Sequence, residues 1–256
     1  MSMVLANGIE LHVEEVAPIG IQTGTAVLIH GMTPDSMASW FLTLAHPLAE
    51  TGLRVLLYDL RGHGHSERPP IGYSLSDFVG DLEALLTEHW KVDGPVHLFG
   101  NSFGGTVAFA YAARHPDNVA GIVAVESAPP TATWFARMGR RLAWAAESLA
   151  DANAVANSRP LDARRIKAAS LLSQTSVGAE LPTSVLPAPE LITEIRCPVL
   201  CLYGAESKVK DSIAETARLL PQSRHVVVEG QRHTLLIKAP DQVRAHVLPW
   251  LSTSVH

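Results

Sequence analysis

A chain of 256 residues, 47% hydrophobic and 18% charged, can bury a sizeable core, and one α/β domain carrying an insertion suits it better than two independent domains. The formal charge of -5 comes without any run of Lys and Arg, which excludes a phosphate-backbone binder, so no nucleic-acid partner is expected. The start, Met-Ser-Met-Val-Leu-Ala-Asn-Gly, has neither a charged n-region nor a long apolar h-region, and no run of about 18 apolar residues occurs; a soluble, cytoplasmic protein without a membrane partner is expected.

From Gly8 to Val16 apolar Ile9, Leu11 and Val13 alternate with Glu10, His12 and Glu14, which predicts an edge strand with one wet face. Thr25 to Ile29 is continuously apolar, as in a strand covered on both sides, and runs into His30-Gly31-Met32. Trp40 to Glu50 suits a helix ended by Gly52, and Arg54 to Tyr58 supplies the next buried strand. Asp59 to Ser66 then turns on glycines. His63 and His65 flank one of them with no acidic or cysteine partner nearby in sequence, so they read as loop residues and no metal is expected. Ser74 to Asp77 is a capping signal for a helix whose stripe is Leu75, Phe78, Val79, Leu82, Leu85 and Leu86, ending near Trp90.

Pro95 to Phe99 reads as a short buried strand and Thr106 to His115 as a helix stopped by Pro116. Between them stands Gly100-Asn101-Ser102-Phe103-Gly104. Gly-x-Ser-x-Gly alone is weak, because with Gly and Ser each near 7% roughly one chain in ten of this length holds it by chance. The strand and helix on either side give it meaning: two glycines without Cβ atoms let the strand reverse sharply and expose the Ser102 hydroxyl at a helix N-terminus. Ser102 is therefore read as a nucleophile, and Asn101 as a turn residue.

Val119 to Val125 is a further buried strand finishing at Glu126. Alternation breaks at Ser127. Trp134, Phe135, Met138, Leu142 and Leu149 sit near helical spacing opposite Arg137, Arg140 and Arg141, so residues 127–190 read as an inserted helical cap; it either covers the core, lines a substrate pocket, or does both. Trp134 and Phe135 are its candidate substrate-binding residues. Pro182, Pro187 and Pro189 mark the exit, Pro198 to Tyr203 restores the sheet, and a helix from Asp211 to Leu220, a strand from Arg224 to Val228 and a helix from Asp241 to Trp250 follow. Cys197 and Cys201, roughly 13 Å apart along a strand, cannot pair with each other, which agrees with a reducing compartment, and they are assigned no role.

Taken together, His30-Gly31, Arg61-Gly62-His63-Gly64-His65-Ser66, the Ser102 elbow and Gly230-Gln231-Arg232-His233 resemble the α/β-hydrolase superfamily, in the right order and over nearly the whole chain. The resemblance implies a mostly parallel eight-stranded sheet flanked by helices, with residues 1–126 and 191–256 as the core domain around the 127–190 cap. It also implies a Ser, acid, His order, with His233 as the base for Ser102 and the backbone N–H groups of Met32 and Phe103 as the oxyanion hole.

The acid departs from the commonest family pattern, which places an aspartate three residues after the glycine closing the strand beyond the cap. Gly204 is that glycine and Ser207 stands at the expected position. Glu126, Glu206 and Asp211 remain. Zearalenone lactone hydrolases and certain dehalogenases place a glutamate at the end of the strand before the cap, and strands about 4.8 Å apart let glutamate's extra methylene bridge the offset. A carboxylate after seven apolar residues also needs a partner, so Glu126 is favoured.

The function expected is a cofactor-independent serine hydrolase acting on a carboxylic ester or lactone of an apolar, medium-sized small molecule. The chain is expected to be a monomer or homodimer. A carbon–carbon bond hydrolase of the meta-cleavage-product type is an alternative, since Gly-Asn-Ser-Phe-Gly-Gly resembles that elbow too. A hydrolase-like receptor with slow or absent turnover is a third reading. Haloalkane dehalogenases and epoxide hydrolases are disfavoured because they need an aspartate where Ser102 stands.

Overall fold

The computed structural model describes residues 2–154 and 163–254. Eight strands form one sheet: β1 (Ser2–Ala6), β2 (Ile9–Val16), β3 (Gly24–Ile29), β4 (Leu53–Tyr58), β5 (Val96–Asn101), β6 (Val119–Val125), β7 (Val199–Gly204) and β8 (Arg224–Val228), in spatial order β1-β2-β4-β3-β5-β6-β7-β8. The pairs from β4 to β8 are parallel, and β2 is antiparallel to both of its neighbours. The central strands carry the unbroken apolar runs that burial on two faces requires, and their side chains divide between two clusters. One, around Tyr58, Phe78, Phe103 and Phe109, lies on one face; the other, around Trp40, Leu57, Phe99 and Trp250, lies on the opposite face.

Two sequence expectations change here. β2 is not an edge strand, because Ser2–Ala6 folds back on it through Asn7 and Gly8, at φ 49° and 78°. Asn-Gly is the dipeptide that accepts two left-handed residues in a tight hairpin, and this signal was present in the sequence. The helices also end less abruptly than the periodicity suggests. The Ser74 capping box starts Leu75–Ala84 as expected, but the helix then widens into a π-helical turn over Leu85–His89.

After β3 the chain adds β4 on one side, then returns to place β5 on the other. In open parallel sheets the crevice beyond the carboxyl ends of strands at such a reversal is where ligands bind. The loop after Ile29 and the turn after Asn101 meet at this point. Between Val125 and Val199 the described residues form helices and turns, chiefly Ala132–Ala154 and Ala163–Gln174, and no strand. These helices are pinned to the core: Trp134 Nε1 donates to Thr106 Oγ1 at 2.7 Å, Arg68 Nη1 donates to Ser170 Oγ at 2.6 Å, and Glu180 accepts from the Gly72 and Tyr73 amides at 3.0 and 2.6 Å. The Leu149 side chain and residues 155–162 of the expected cap lie outside the described residues. Among the described residues no helix is long and apolar enough to cross a membrane.

The loop after β4 is a buried polar cluster. Asp59 accepts from His12 Nδ1 at 2.8 Å and from the Met37 and His65 amides at 2.9 and 3.0 Å. Burial raises the Asp59 pKa, but His30 and these donors outweigh it and hold it below the usual value. His63, 4% exposed, donates from Nδ1 to the Arg61 carbonyl at 2.9 Å. Burial pushes its pKa from 6.5 to about 3, with repulsion from His30 adding to the fall. Below about pH 6.5 the unfolded chain therefore takes up a proton at this ring that the folded chain refuses. The His63 contribution is complete above that pH and is lost as pH falls toward 3, at about 1.4 kcal/mol per pH unit. Urea unfolding between about pH 6 and pH 4 should show wild type losing stability more steeply than His63→Gln, by close to one proton's slope. Parallel pH profiles for the two proteins would refute it.

Candidate functional site

Ser102 sits between β5 and the helix Phe103–Arg114 at φ 52° and ψ -117°, a region that L residues rarely occupy. Such a conformation costs of order 1–3 kcal/mol and persists only where the surroundings enforce it. They do so here. The Ser102 amide donates to the Val125 carbonyl at 2.8 Å. A Cβ on Gly100 would lie 2.2 Å from Gly105 Cα, and one on Gly104 would lie 2.1 Å from the Ile29 carbonyl oxygen. Only glycine at both places lets strand, turn and helix pack this closely.

His233 arrives on the loop after β8, and Gly204 makes room for it, since a Cβ there would sit 2.3 Å from the Gln231 carbonyl oxygen. The Glu206 amide donates to that same carbonyl at 2.9 Å. His233 Nε2 lies 3.1 Å from Ser102 Oγ, and Nδ1 lies 3.0 Å from Glu126 Oε2. Glu126 is 0% exposed. Its backbone turns sharply at φ 54° with its amide on the Leu202 carbonyl at 2.8 Å, which directs the side chain across the end of β7. There the carboxylate accepts short hydrogen bonds from the Gly204 amide and from Ser207 Oγ. Ser207 thus stands where the commoner pattern has the aspartate, and it donates to the carboxylate that has moved one strand over.

The other two carboxylates go elsewhere. Glu206, with a side chain 49% exposed, pairs with Arg232 at 2.7 Å. Asp211, 57% exposed, lies 3.7 Å from Arg137. Neither meets His233.

The loop after β3 packs directly on the elbow: a Cβ on Gly31 would lie 3.2 Å from Ser102 Cβ and 3.4 Å from the Asn101 carbonyl oxygen. Asp35, which sequence reasoning missed, ties the two together. It accepts from the Gly31 amide at 2.8 Å, the Ser36 amide at 2.9 Å and Asn101 Nδ2 at 3.0 Å. A carboxylate four residues beyond His-Gly carries no periodic signal that would have revealed it. Asn101 is therefore more than a turn residue, since its side chain braces this loop. Met32 and Phe103 both border the space in front of Ser102. The Phe103 amide, first in its helix, has no acceptor within that helix.

That space is a cavity of about 380 Å³ roofed by the cap helices and reaching Ser102 and His233. Trp134 lines it; Phe135 does not. Phe135, 3% exposed, turns into the core instead, because adjacent helical residues point about 100° apart and the Thr106 hydrogen bond fixes Trp134 toward the elbow. A second correction concerns the arginines. Arg137 and Arg141 share the cavity wall with Trp134, Met138 and Leu142 rather than facing away from them, because steps of three and four residues keep positions 134, 137, 138, 141 and 145 on one stripe. Cys197 and Cys201 are both free and buried, and burial lifts each thiol to about 12, far from a reactive thiolate. Among the described residues no cluster of three His, Cys, Asp or Glu side chains could hold a metal.

A parallel sheet that reverses at β3 and β5, a strained serine on the turn there, and a histidine loop from beyond the last strand define the α/β-hydrolase class. The family model described as alpha/beta hydrolase fold matches residues 25–173, and the chain belongs to that family. It is similar to the 2-(acetamidomethylene)succinate hydrolase of Mesorhizobium japonicum, 28% identical across 84% of this chain and 83% of that one. The 2-hydroxy-6-oxo-2,4-heptadienoate hydrolase of Pseudomonas putida is 35% identical, but over only 47% of this chain and 42% of its own length. In fold the chain is similar to a carboxylesterase from the thaumarchaeon Nitrososphaera gargenis, with a TM-score of 0.76 and 22% identity, over 99% of this chain and 98% of that structure.

The strain at Ser102 is testable without reference to any reaction. Glycine accepts positive φ freely, at some cost in unfolded-chain entropy. Ser102→Gly should therefore be more stable than wild type by about 1 kcal/mol, a rise of about 2–4 °C in Tm for a chain of this size. A lower Tm in Ser102→Gly would contradict the strain.

Proposed function

We propose that this protein is a cofactor-independent serine hydrolase of carboxylic esters or lactones, working through Ser102, His233 and Glu126. The observation that carries this is the unbroken chain of contacts from Ser102 Oγ to His233 Nε2 at 3.1 Å and from His233 Nδ1 to Glu126 at 3.0 Å. Glu126 keeps the ring proton on Nδ1, which leaves Nε2 free to accept. As Ser102 Oγ bonds to the substrate's carbonyl carbon, its proton passes to Nε2. Negative charge collects on the carbonyl oxygen, beside the amides of Met32 and Phe103, where the helix N-terminus adds a favourable dipole. Nε2 then gives its proton to the departing alcohol oxygen as the C–O bond breaks, leaving an acyl-Ser102 ester. Water attacks that ester, loses its proton to Nε2, and Ser102 recovers it on release. In a lactone the departing oxygen stays tethered to the acyl group as a hydroxyl, and the second step releases a single hydroxy acid.

The family and the likeness to a carboxylesterase support ester chemistry. The Pseudomonas relative's name keeps a second reading in view, in which the bond broken joins two carbons of a dienoic ketone. Loss of the substrate's conjugated absorbance, with no turnover of simple esters, would favour it.

A fluorophosphonate probe should label wild type and not Ser102→Ala. On one ester, Glu126→Gln should lose about 10⁴-fold in kcat with its circular dichroism unchanged, while Glu206→Gln stays within a few-fold of wild type. In Glu126→Ala, adding Ser207→Asp should recover part of the activity, since position 207 already reaches the same carboxylate oxygen as His233. If Glu206→Gln proves the crippled enzyme, Glu126 is not the acid.

A further inference from the structure

The cavity is apolar over most of its wall, yet one charge on it has no partner among the described residues. Among the described residues, the carboxylate on its wall and the one buried behind His233 are both engaged. Glu126 is held by Gly204, Ser207 and His233, and Asp35 by Gly31, Ser36 and Asn101. At the cleft beside it, Glu206 is paired with Arg232. Of the two arginines on the wall, Arg137 donates to the Lys208 carbonyl and lies 3.7 Å from Asp211. Arg141, one turn further along the same helix, has no hydrogen bond or ion pair to any described residue. Arg141 as a whole is exposed to solvent. Even so, burial of the guanidinium against the wall holds its pKa below the usual arginine value; Glu126 opposes this and Arg137 adds to it. A guanidinium that borders an apolar cavity, partly desolvated and with no partner among the described residues, is available to an anion.

Its neighbours define that anion further. Trp134, Met138, Leu142 and Leu172 give an apolar body somewhere to lie. One guanidinium without a partner among the described residues offers a planar fork matched to a single carboxylate. A phosphate dianion would call for a second free cation, and Arg137 is already committed. Building on the ester or lactone reading above, we propose that the substrate carries a free carboxylate on an otherwise apolar frame, and that Arg141 receives it and so sets substrate specificity. The scissile carbonyl then lies at Ser102 while the carboxylate is held at the cap wall.

The test uses two 4-nitrophenyl alkylphosphonates of equal chain length, one ending in a carboxylate and the other in a methyl group. Each phosphonylates a reactive serine once: Ser102 Oγ forms the P–O bond, its proton goes to His233, and 4-nitrophenolate leaves and is counted by absorbance. Wild type should react about 10- to 100-fold faster with the carboxylate probe, as expected for a charge-assisted hydrogen-bonded pair. Arg141→Met should bring the ratio of the two rates close to one. Arg141→Lys should keep part of the preference, which a mere packing defect would not allow. Arg140→Gln removes the same charge from a neighbouring position that borders only the adjoining cleft and not the cavity over Ser102, and should keep the wild-type ratio. Equal labelling of Ser102 by both probes in wild type would overturn the carboxylate assignment and leave the hydrolase reading standing, as would a preference that survives Arg141→Met. Failure of both probes to label Ser102 would overturn the hydrolase reading and the carboxylate assignment with it.

Discussion

The Glu126 carboxylate is wholly buried where the central sheet ends, and much of the site follows from how it is kept there. An ionised group in that position is tolerable only when donors replace the water it has lost. Three do so: a backbone amide at Gly204, a hydroxyl at Ser207 and the imidazole of His233. Each donor has its own structural requirement. The Gly204 amide is within reach because Glu126 leaves β6 with a left-handed backbone, and Gly204 lacks the Cβ that would drive the His233 loop away. The contact that compensates the buried charge is therefore also the contact that orients the imidazole toward Ser102.

A second constraint operates at the reversal of strand order. β5 lies at the middle of the sheet, with β3 and β6 on either side, and the turn after it is pressed against both neighbours. The Ser102 amide is held by β6 through Val125, while Gly31 of the β3 loop lies against the Ser102 side chain. Asp35 joins that loop to Asn101, so the serine and the amides nearest to it are braced by one another. This rigidity is what a strained φ of 52° requires, and it keeps the hydroxyl presented rather than relaxed into the helix.

The inserted helices supply part of the cavity wall. The long one is fixed to the elbow helix through Trp134 and Thr106 and to the loop after β7 through Arg137. That anchoring turns one mixed stripe of aromatic, aliphatic and guanidinium groups over Ser102. Among the described residues the cavity thereby combines apolar bulk with one cation, Arg141, that has no partner, a combination that neither the core nor the inserted helices would create alone.

Much of this was determined by the sequence by itself. Continuous apolar runs marked the buried strands, glycines at 100 and 104 marked the elbow, and the order of Ser102 and His233 marked the family, because these are local requirements of backbone geometry and burial. The N-terminal hairpin was written there too, in Asn7-Gly8, though period-two alternation alone left β2 as an edge. The apolar run before Glu126 already favoured it in the sequence over Glu206 and Asp211, and the tertiary structure decided the matter, because in space Glu126 is buried among donors while the other two are on the surface with arginines. It also decided that Phe135 joins the core and that Arg141 faces the cavity. A helix repeats about every 3.6 residues, so its sequence gives the relative directions of side chains, but the rotation of that helix about its axis is fixed by what it packs against.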